Sequence, residues 1–189
     1  ARATIKNVES GITLPRMETA NSLQHALEEA GVEFLPSSGV RMRDRIISIY
    51  EGHDANRLIT EDIYKTLRDT GGDLYIAFAN EEEAVKTMGR DFLESHMQKR
   101  EQNNIKQYLL VRARDKGLIP PLDKYRIMPD EYFSEYLLAV YGTKIALIVQ
   151  TEPPKTVVIN DGRMSDGIKK LCKFMWDRTE MPSYKDFET

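Results

Sequence analysis

Three histidines, one cysteine and an acidic triplet are where chemistry would have to begin in this chain. His25, His53 and His96 stand far apart, and none forms the i, i+4 pair that holds a zinc ion on one helix face. His25 and His96 fall within predicted helices and read as ordinary helical residues. Glu81-Glu82-Glu83 opens a predicted helix, where the positive end of the helix dipole favours carboxylates. It reads as a solvated first turn, not a metal site. Cys172 has no second cysteine to pair with and lies on an apolar stripe, which makes it a core residue. There is no P-loop and no G-x-G-x-x-G after a strand. No catalytic residue, metal ligand or cofactor is therefore expected. What remains is Asn80, Arg112 and Arg114 near the ends of two predicted strands. The arginines would suit an anionic ligand, or are plain surface charges.

The elements that would position these residues follow from the apolar pattern. RIISIY reads as a strand. Residues 57–70 read as a helix with Leu58, Ile63 and Leu67 inward, broken by Gly71-Gly72. DLYIAFA (73–79) is a buried strand. Residues 81–102 are expected to form the longest helix, with Val85, Met88, Phe92 and Leu93 on its apolar face. IKQYLLV (105–111) is the next strand. This alternation predicts right-handed crossovers and a largely parallel sheet in this part. A ligand pocket would then lie at the C-terminal ends of the central strands, near Asn80, Arg112 and the loop 113–123.

Beyond that loop, KYRIM is a short strand. EYLLAVYG, TKIALIVQ and KTVVIND follow as three strands joined by short turns, hence antiparallel neighbours. SDGIKKLCKFMWDR then places Ile168, Leu171, Cys172, Met175 and Trp176 at i, i+3, i+4, i+7 and i+8, an amphipathic helix lying on a sheet. Residues 181–189 have no pattern and read as a tail.

With 189 residues, 41% of them apolar, the chain can bury a real core, and a net charge of −3 describes no globally basic protein. Any nucleic-acid contact must be local. No apolar run approaches the ~18 residues that would span a bilayer, and no signal peptide is visible. The lone cysteine fits a reducing compartment, and the protein is expected to be cytoplasmic, with no membrane partner.

The opening stretch ARATIKNVESG reads as a short helix that ends at Gly11, with Ile5 and Val8 on one face. Pro15 lies in the connection that follows. Ala20, Leu23, Ala26, Leu27 and Ala30 then share a helical stripe closed by Gly31. VEFLPSSGVRMR is a hairpin or a linker. Thr4, Ile5, Glu9, Gly11, Pro15, Leu23, Ala26, Leu27, Gly31 and Val32 match, in order, a pattern that resembles the lambda-repressor/Cro-like helix-turn-helix family. The resemblance implies a recognition helix that shows Arg2, Thr4, Lys6 and Asn7 to base edges. Arg16 would touch phosphate, and Glu9 would be structural. In that family further helices precede this one. The resemblance thus implies an incomplete form, in which Ile5 and Val8 would pack on helices outside this sequence. Residues 1–43 are assigned to this partial all-α domain.

Residues 44–180 resemble the phospholipase D-like fold, and more closely the effector domain of archaeal sugar-responsive regulators of the TrmB type. The likeness is carried by helix 57–70, DLYIAFA, the long helix, IKQYLLV, EYLLAVYGTKIALIV, KTVVIND and the closing helix ending KFMWD. Phospholipase D enzymes carry H-x-K-x-x-x-x-D-G. With the final Gly at Gly142, Ser134 takes the His place, Tyr136 the Lys place and Tyr141 the Asp place, and no histidine of the chain has a lysine two residues on. The resemblance therefore implies the fold without that chemistry.

The expected fold class is α/β: a mixed-sheet phospholipase D-like domain preceded by a partial helix-turn-helix domain. The expected function is a DNA-binding transcriptional regulator, a repressor, with a non-catalytic sensor or dimerisation domain. Its partners would be double-stranded operator DNA, a small-molecule effector and a second copy of itself. The antiparallel strands and the Trp176 helix are the candidate dimer surfaces. The alternatives are a divergent phosphodiesterase or nuclease on the same fold, and a protein-interaction module with a vestigial DNA-binding part.

Overall fold

A computed structural model of the chain describes residues 2–35, 39–42, 46–113, 115 and 117–182. Most of the expected tail, 183–189, lies outside the described residues. The chain divides into two compact units, 1–45 and 46–189.

The first unit holds α1 (Arg2–Glu9), α2 (Met17–Glu29), β1 (Val32–Leu35) and β2 (Gly39–Met42). Gly11, at φ +69, turns the chain out of α1. β1 and β2 pair antiparallel from Val32↔Met42 to Leu35↔Gly39, so this stretch is a hairpin and not a linker. The unit is therefore two helices plus a strand pair, not helices alone. Ile5 is 41% exposed, and α2 buries none of its residues.

The second unit is built on a seven-stranded mixed sheet. Its strands are β3 (Ile47–Glu51), β4 (Gly72–Ala77), β5 (Ile105–Arg112), β6 (Tyr125–Met128), β7 (Tyr136–Tyr141), β8 (Lys144–Val149) and β9 (Lys155–Asn160), in the spatial order β3-β9-β8-β7-β4-β5-β6. Only β4, β5 and β6 run parallel to their neighbours in that trio. β7, β8 and β9 form the expected antiparallel run. The largely parallel sheet expected for 44–111 does not form, because β3 pairs antiparallel with β9 at the far edge. Strand order depends on non-local pairing, which a local pattern does not encode.

α3 (Ala55–Leu67) carries the chain from that edge to the centre. Ile59, Ile63 and Leu67 pack on Leu74, Ile105, Ala139, Tyr141, Ala146, Ile148 and Val158. Leu58, expected inward, is exposed, and its neighbour Ile59 is buried instead. Two adjacent apolar residues leave the helical phase ambiguous.

The expected helix 81–102 is two helices, α4 (Glu81–Met88) and α5 (Arg90–Gln102), separated by Gly89 at φ +87. Glycine enters this left-handed region without a Cβ penalty, so it ends one helix and starts the next. The longest helix is instead α6 (Gly162–Trp176), capped by Asp161, whose carboxylate accepts from Met164 N at 2.9 Å. α6 lies on the other side of the sheet. Cys172, Ile168 and Met175 pack with Tyr75, Val140 and Ile145. Leu171, expected on this stripe, is 59% exposed and points away. Among the described residues, no helix is long and apolar enough to cross a membrane.

Candidate functional site

The parallel strands β4 and β5 end side by side, the place where open α/β sheets leave a crevice. After β4 the chain passes through Phe78 and Ala79 to Asn80 and into α4. Ala79 N donates to Leu110 O at 2.9 Å, which holds this segment against β5. Phe78 has φ +62, a region that side chains rarely adopt. Its ring meets Phe133 and Tyr136 edge-on, at 5.5 and 5.4 Å. Asn80 caps α4, its Oδ1 accepting from Glu83 N at 3.0 Å.

A cavity of about 580 Å³ opens at this end. Asn56 and Thr60 of α3 form one side, Met88 of α4 and Arg100 of α5 another, and Phe133 and Ser134, just before β7, a third. Its size is in the range of small-molecule sites.

Glu81 and Arg100 line the cavity and are buried, and Tyr125, Lys124 and Gln107, outside its lining, are buried too. Glu81 is 4% exposed, so the first residue of the acidic triplet is not the solvated turn expected. The Tyr125 hydroxyl donates to Glu81 Oε1 at 2.8 Å and accepts from Ile119 N at 3.4 Å. Arg100 Nη1 donates to Gln107 Oε1 at 3.1 Å. Burial pushes the Glu81 carboxyl above the usual range, against the pull of the Tyr125 bond and the Lys124 and Arg100 charges. Burial also lowers Arg100 to about 10, which leaves it charged at neutral pH. The sequence held a signal for both. Glu81 stands in register with Ala84, Val85 and Met88, and Arg100 with Leu93, His96 and Met97, each set at i, i+3, i+4 and i+7.

The structure brings Asn80 and Arg112 to the same cavity wall. Arg114 lies outside the described residues. Arg112 is already engaged: its Nε donates to Asp115 Oδ1 at 3.0 Å, its backbone N to Oδ2 at 2.8 Å, and its guanidinium lies 4.6 Å over the Phe133 ring. The described cavity lining contains no residue of the loop 113–123. Asp130 and residues 133–135 take that place.

Ser134, at the position of the phospholipase D histidine, lies on the cavity wall. Tyr136 opens β7. Tyr141 is buried, and its hydroxyl donates to Asp62 at 2.7 Å; the same carboxylate holds Lys144 Nζ at 2.8 and 2.9 Å. The described lining contains no histidine, lysine or cysteine. His96 is buried elsewhere, between α3 and α5, with Nε2 3.2 Å from Glu61 Oε1. His25 and His53 are exposed at the surface. Among the described residues, no group of three or more His, Cys, Asp or Glu is gathered to hold a metal ion.

In the first unit, α1 carries Arg2, Thr4, Lys6 and Asn7 on a single eight-residue helix. Lys6 and Asn7 are exposed. Arg16 is exposed and stands in extended backbone immediately before α2.

No protein-family model matches the chain, and no curated protein matches it. Among solved structures it is similar to TrmBL2, an archaeal chromatin protein that shows a novel mode of DNA binding. The two are 14% identical over 96% of this chain and 67% of that one, with a TM-score of 0.52. It is also similar to Nuc from Salmonella typhimurium, a phospholipase D family member, at 7% identity over 72% of this chain and 98% of that one, with a TM-score of 0.50. At these identities the likeness is one of fold, and the fold is the mixed α/β architecture that these two proteins share with this chain.

Proposed function

We propose that this chain is a DNA-binding transcriptional regulator, a repressor, that works as a homodimer. Its α/β unit senses a small molecule and performs no catalysis. The observation that carries the reading is a likeness of fold extending over 96% of the chain, both units included, to a protein that binds DNA. α1 enters the major groove, with Arg2, Thr4, Lys6 and Asn7 toward base edges, while Arg16 meets phosphate. The cavity at the ends of β4 and β5 takes the effector, with Asn80 and Arg112 among its contacts. The Arg112 charge is matched by Asp115, and Glu83 and Glu135 also line the wall. A neutral polar molecule suits that lining better than an anion. Lys6→Ala and Asn7→Ala, in the full-length protein, weaken binding to its own upstream DNA in a salt-controlled gel shift and leave the circular dichroism unchanged. Undiminished affinity would remove the DNA-reading assignment.

A second reading, a phosphodiesterase, is favoured by the likeness to Nuc and by Ser134 on the cavity wall. The described lining offers no histidine to activate the serine, so a carboxylate such as Glu135 would have to serve as its base. Release of nitrophenol from bis-(p-nitrophenyl) phosphate, abolished by Ser134→Ala, would establish it and displace the sensor reading.

A further inference from the structure

The cavity at the ends of β4 and β5 holds two opposite charges that lie deep in the fold and do not meet. Glu81 and Arg100 both line it, at 4% and 6% exposure. Buried charges are ordinarily paired, because only a close partner offsets the loss of water. No hydrogen bond or ion pair joins these two. Each is held instead by one neutral side chain from outside the lining: the Tyr125 hydroxyl on Glu81 Oε1, and Gln107 Oε1 under Arg100 Nη1. A pair kept for stability alone would touch.

The unspent hydrogen-bonding capacity is specific. A guanidinium carries five N–H donors and a carboxylate accepts at both oxygens. Among the described residues, only Gln107 accepts from Arg100, and Nε is buried with no partner. Among the same residues, only the Tyr125 hydroxyl donates to the Glu81 carboxyl. The two charges stand within electrostatic reach of each other, and each favours the other's charged form. One wall thus offers spare donors and a spare acceptor a short way apart.

The neighbouring lining is apolar. Met88, Leu93 and Met97 form one cluster and line the cavity with Ala84 and Leu109. A ligand ringed by hydroxyls would leave several of them unpaired against this surface, each at a cost. An anion would face Glu81, and a cation would face Arg100. A neutral molecule meets both when an acceptor and a donor share one edge and the rest is hydrocarbon. A cis-amide has that edge, since its C=O and N–H point the same way, and a ring of lactam size holds the amide cis.

We propose that the cavity binds a cyclic cis-amide, a lactam or ureide on an apolar body. Its carbonyl accepts from Arg100, its N–H donates to Glu81, and its hydrocarbon lies on Met88, Leu93 and Met97. The inference rests on the sensor reading in the proposed function and names the chemical class of the effector.

Methionine methyl NMR on the full chain tests it, with Met88 and Met97 as reporters inside the cavity. The ligand is 3,4-dihydroquinolin-2-one, a lactam fused to a benzene ring. Its N-methyl derivative, which lacks the donor, glucose and benzoate are titrated beside it. The lactam shifts both methyls saturably. N-methylation weakens binding about tenfold or more, the loss of one hydrogen bond to a charged group. That comparison uses the native chain and needs no variant to fold. Glu81→Gln keeps an oxygen for Tyr125 but sets an NH2 against the lactam N–H, and Arg100→Met replaces the guanidinium with an apolar chain. Each weakens the lactam by a similar factor, with circular dichroism checking the fold. Equal binding of the N-methyl derivative, or lactam binding unchanged in both variants, would overturn the assignment. Shifts from glucose or benzoate with none from the lactam would overturn the ligand class and leave the sensor standing. Silence from all four compounds would overturn the class and the sensor together, while the gel shift separately decides DNA binding.

Discussion

α2 and α3 are each thirteen residues long and each carries an apolar stripe, yet α3 buries six residues and α2 none. The stripe is only a capacity for burial. α3 realises it because four strands of a large sheet present Leu74, Tyr141, Ala146, Ile148 and Val158 to it. Within residues 1–45, the strands available to α2 are a hairpin of four residues per strand. Most helical stability in proteins comes from packing of this kind and not from intrinsic propensity. The contrast also divides the labour proposed for the chain: α1 keeps Lys6 and Asn7 in solvent, while the second unit commits its apolar residues to a core that shapes a cavity.

The contrast can be broken most easily at Ile63 of α3, which is 3% exposed. Ile63→Ala should cost about 3 kcal/mol, as large-to-small changes in packed cores do, and lower the urea midpoint of the second unit. A loss under about 1 kcal/mol would mean that the sheet does not hold α3 as described. A smaller effect concerns pH. His96 of α5 is buried against Glu61, Tyr64 and Phe92. Burial, reinforced by the Arg100 charge, lowers its pKa below the ordinary 6.5. The folded state therefore binds fewer protons here than the unfolded one. This contribution to stability is full above pH 6.5 and is lost as pH falls from there through the lowered folded value. Urea midpoints of native and His96→Gln chains, measured at about pH 7.5 and about pH 5.5, on either side of the ordinary histidine range, should show the native chain losing more on acidification. The smallest effect belongs to α2: Leu27, 44% exposed, should tolerate Ala within about 0.5 kcal/mol in the same titration. A large loss there would show that α2 is packed as α3 is.

Much of the fold was legible in the order of apolar runs. Every strand from β3 to β9 lies within two residues of its expected span, and Cys172, Ile168 and Met175 face the sheet as their spacing implies. The cavity lies at the strand ends, with Asn80 and Arg112 on its wall, as the order of strands and helices implies. What escaped the sequence has identifiable causes. A glycine inside a helical pattern is usually tolerated, so the break at Gly89 left no distinct mark. Leu171 fits the apolar stripe by spacing alone, but only its neighbours in space decide whether it is covered. Glu81 and Arg100 escaped because charge type outweighed helical register, although the register was the better guide. Their burial depends on Tyr125 and Gln107, which arrive from strands beyond the helices that carry them.

The backbone at Phe78 has a consequence for the cavity rim. A left-handed main chain is open to glycine and costs any larger side chain roughly 1–2 kcal/mol, so an aromatic residue there holds its place only through the company its ring keeps. Phe133 and Tyr136 supply that company from the other side of the opening. The rim is thus fastened like a sprung clasp: the tension sits in the peptide links of one lip, and the catch is the cluster of rings that joins it to the other.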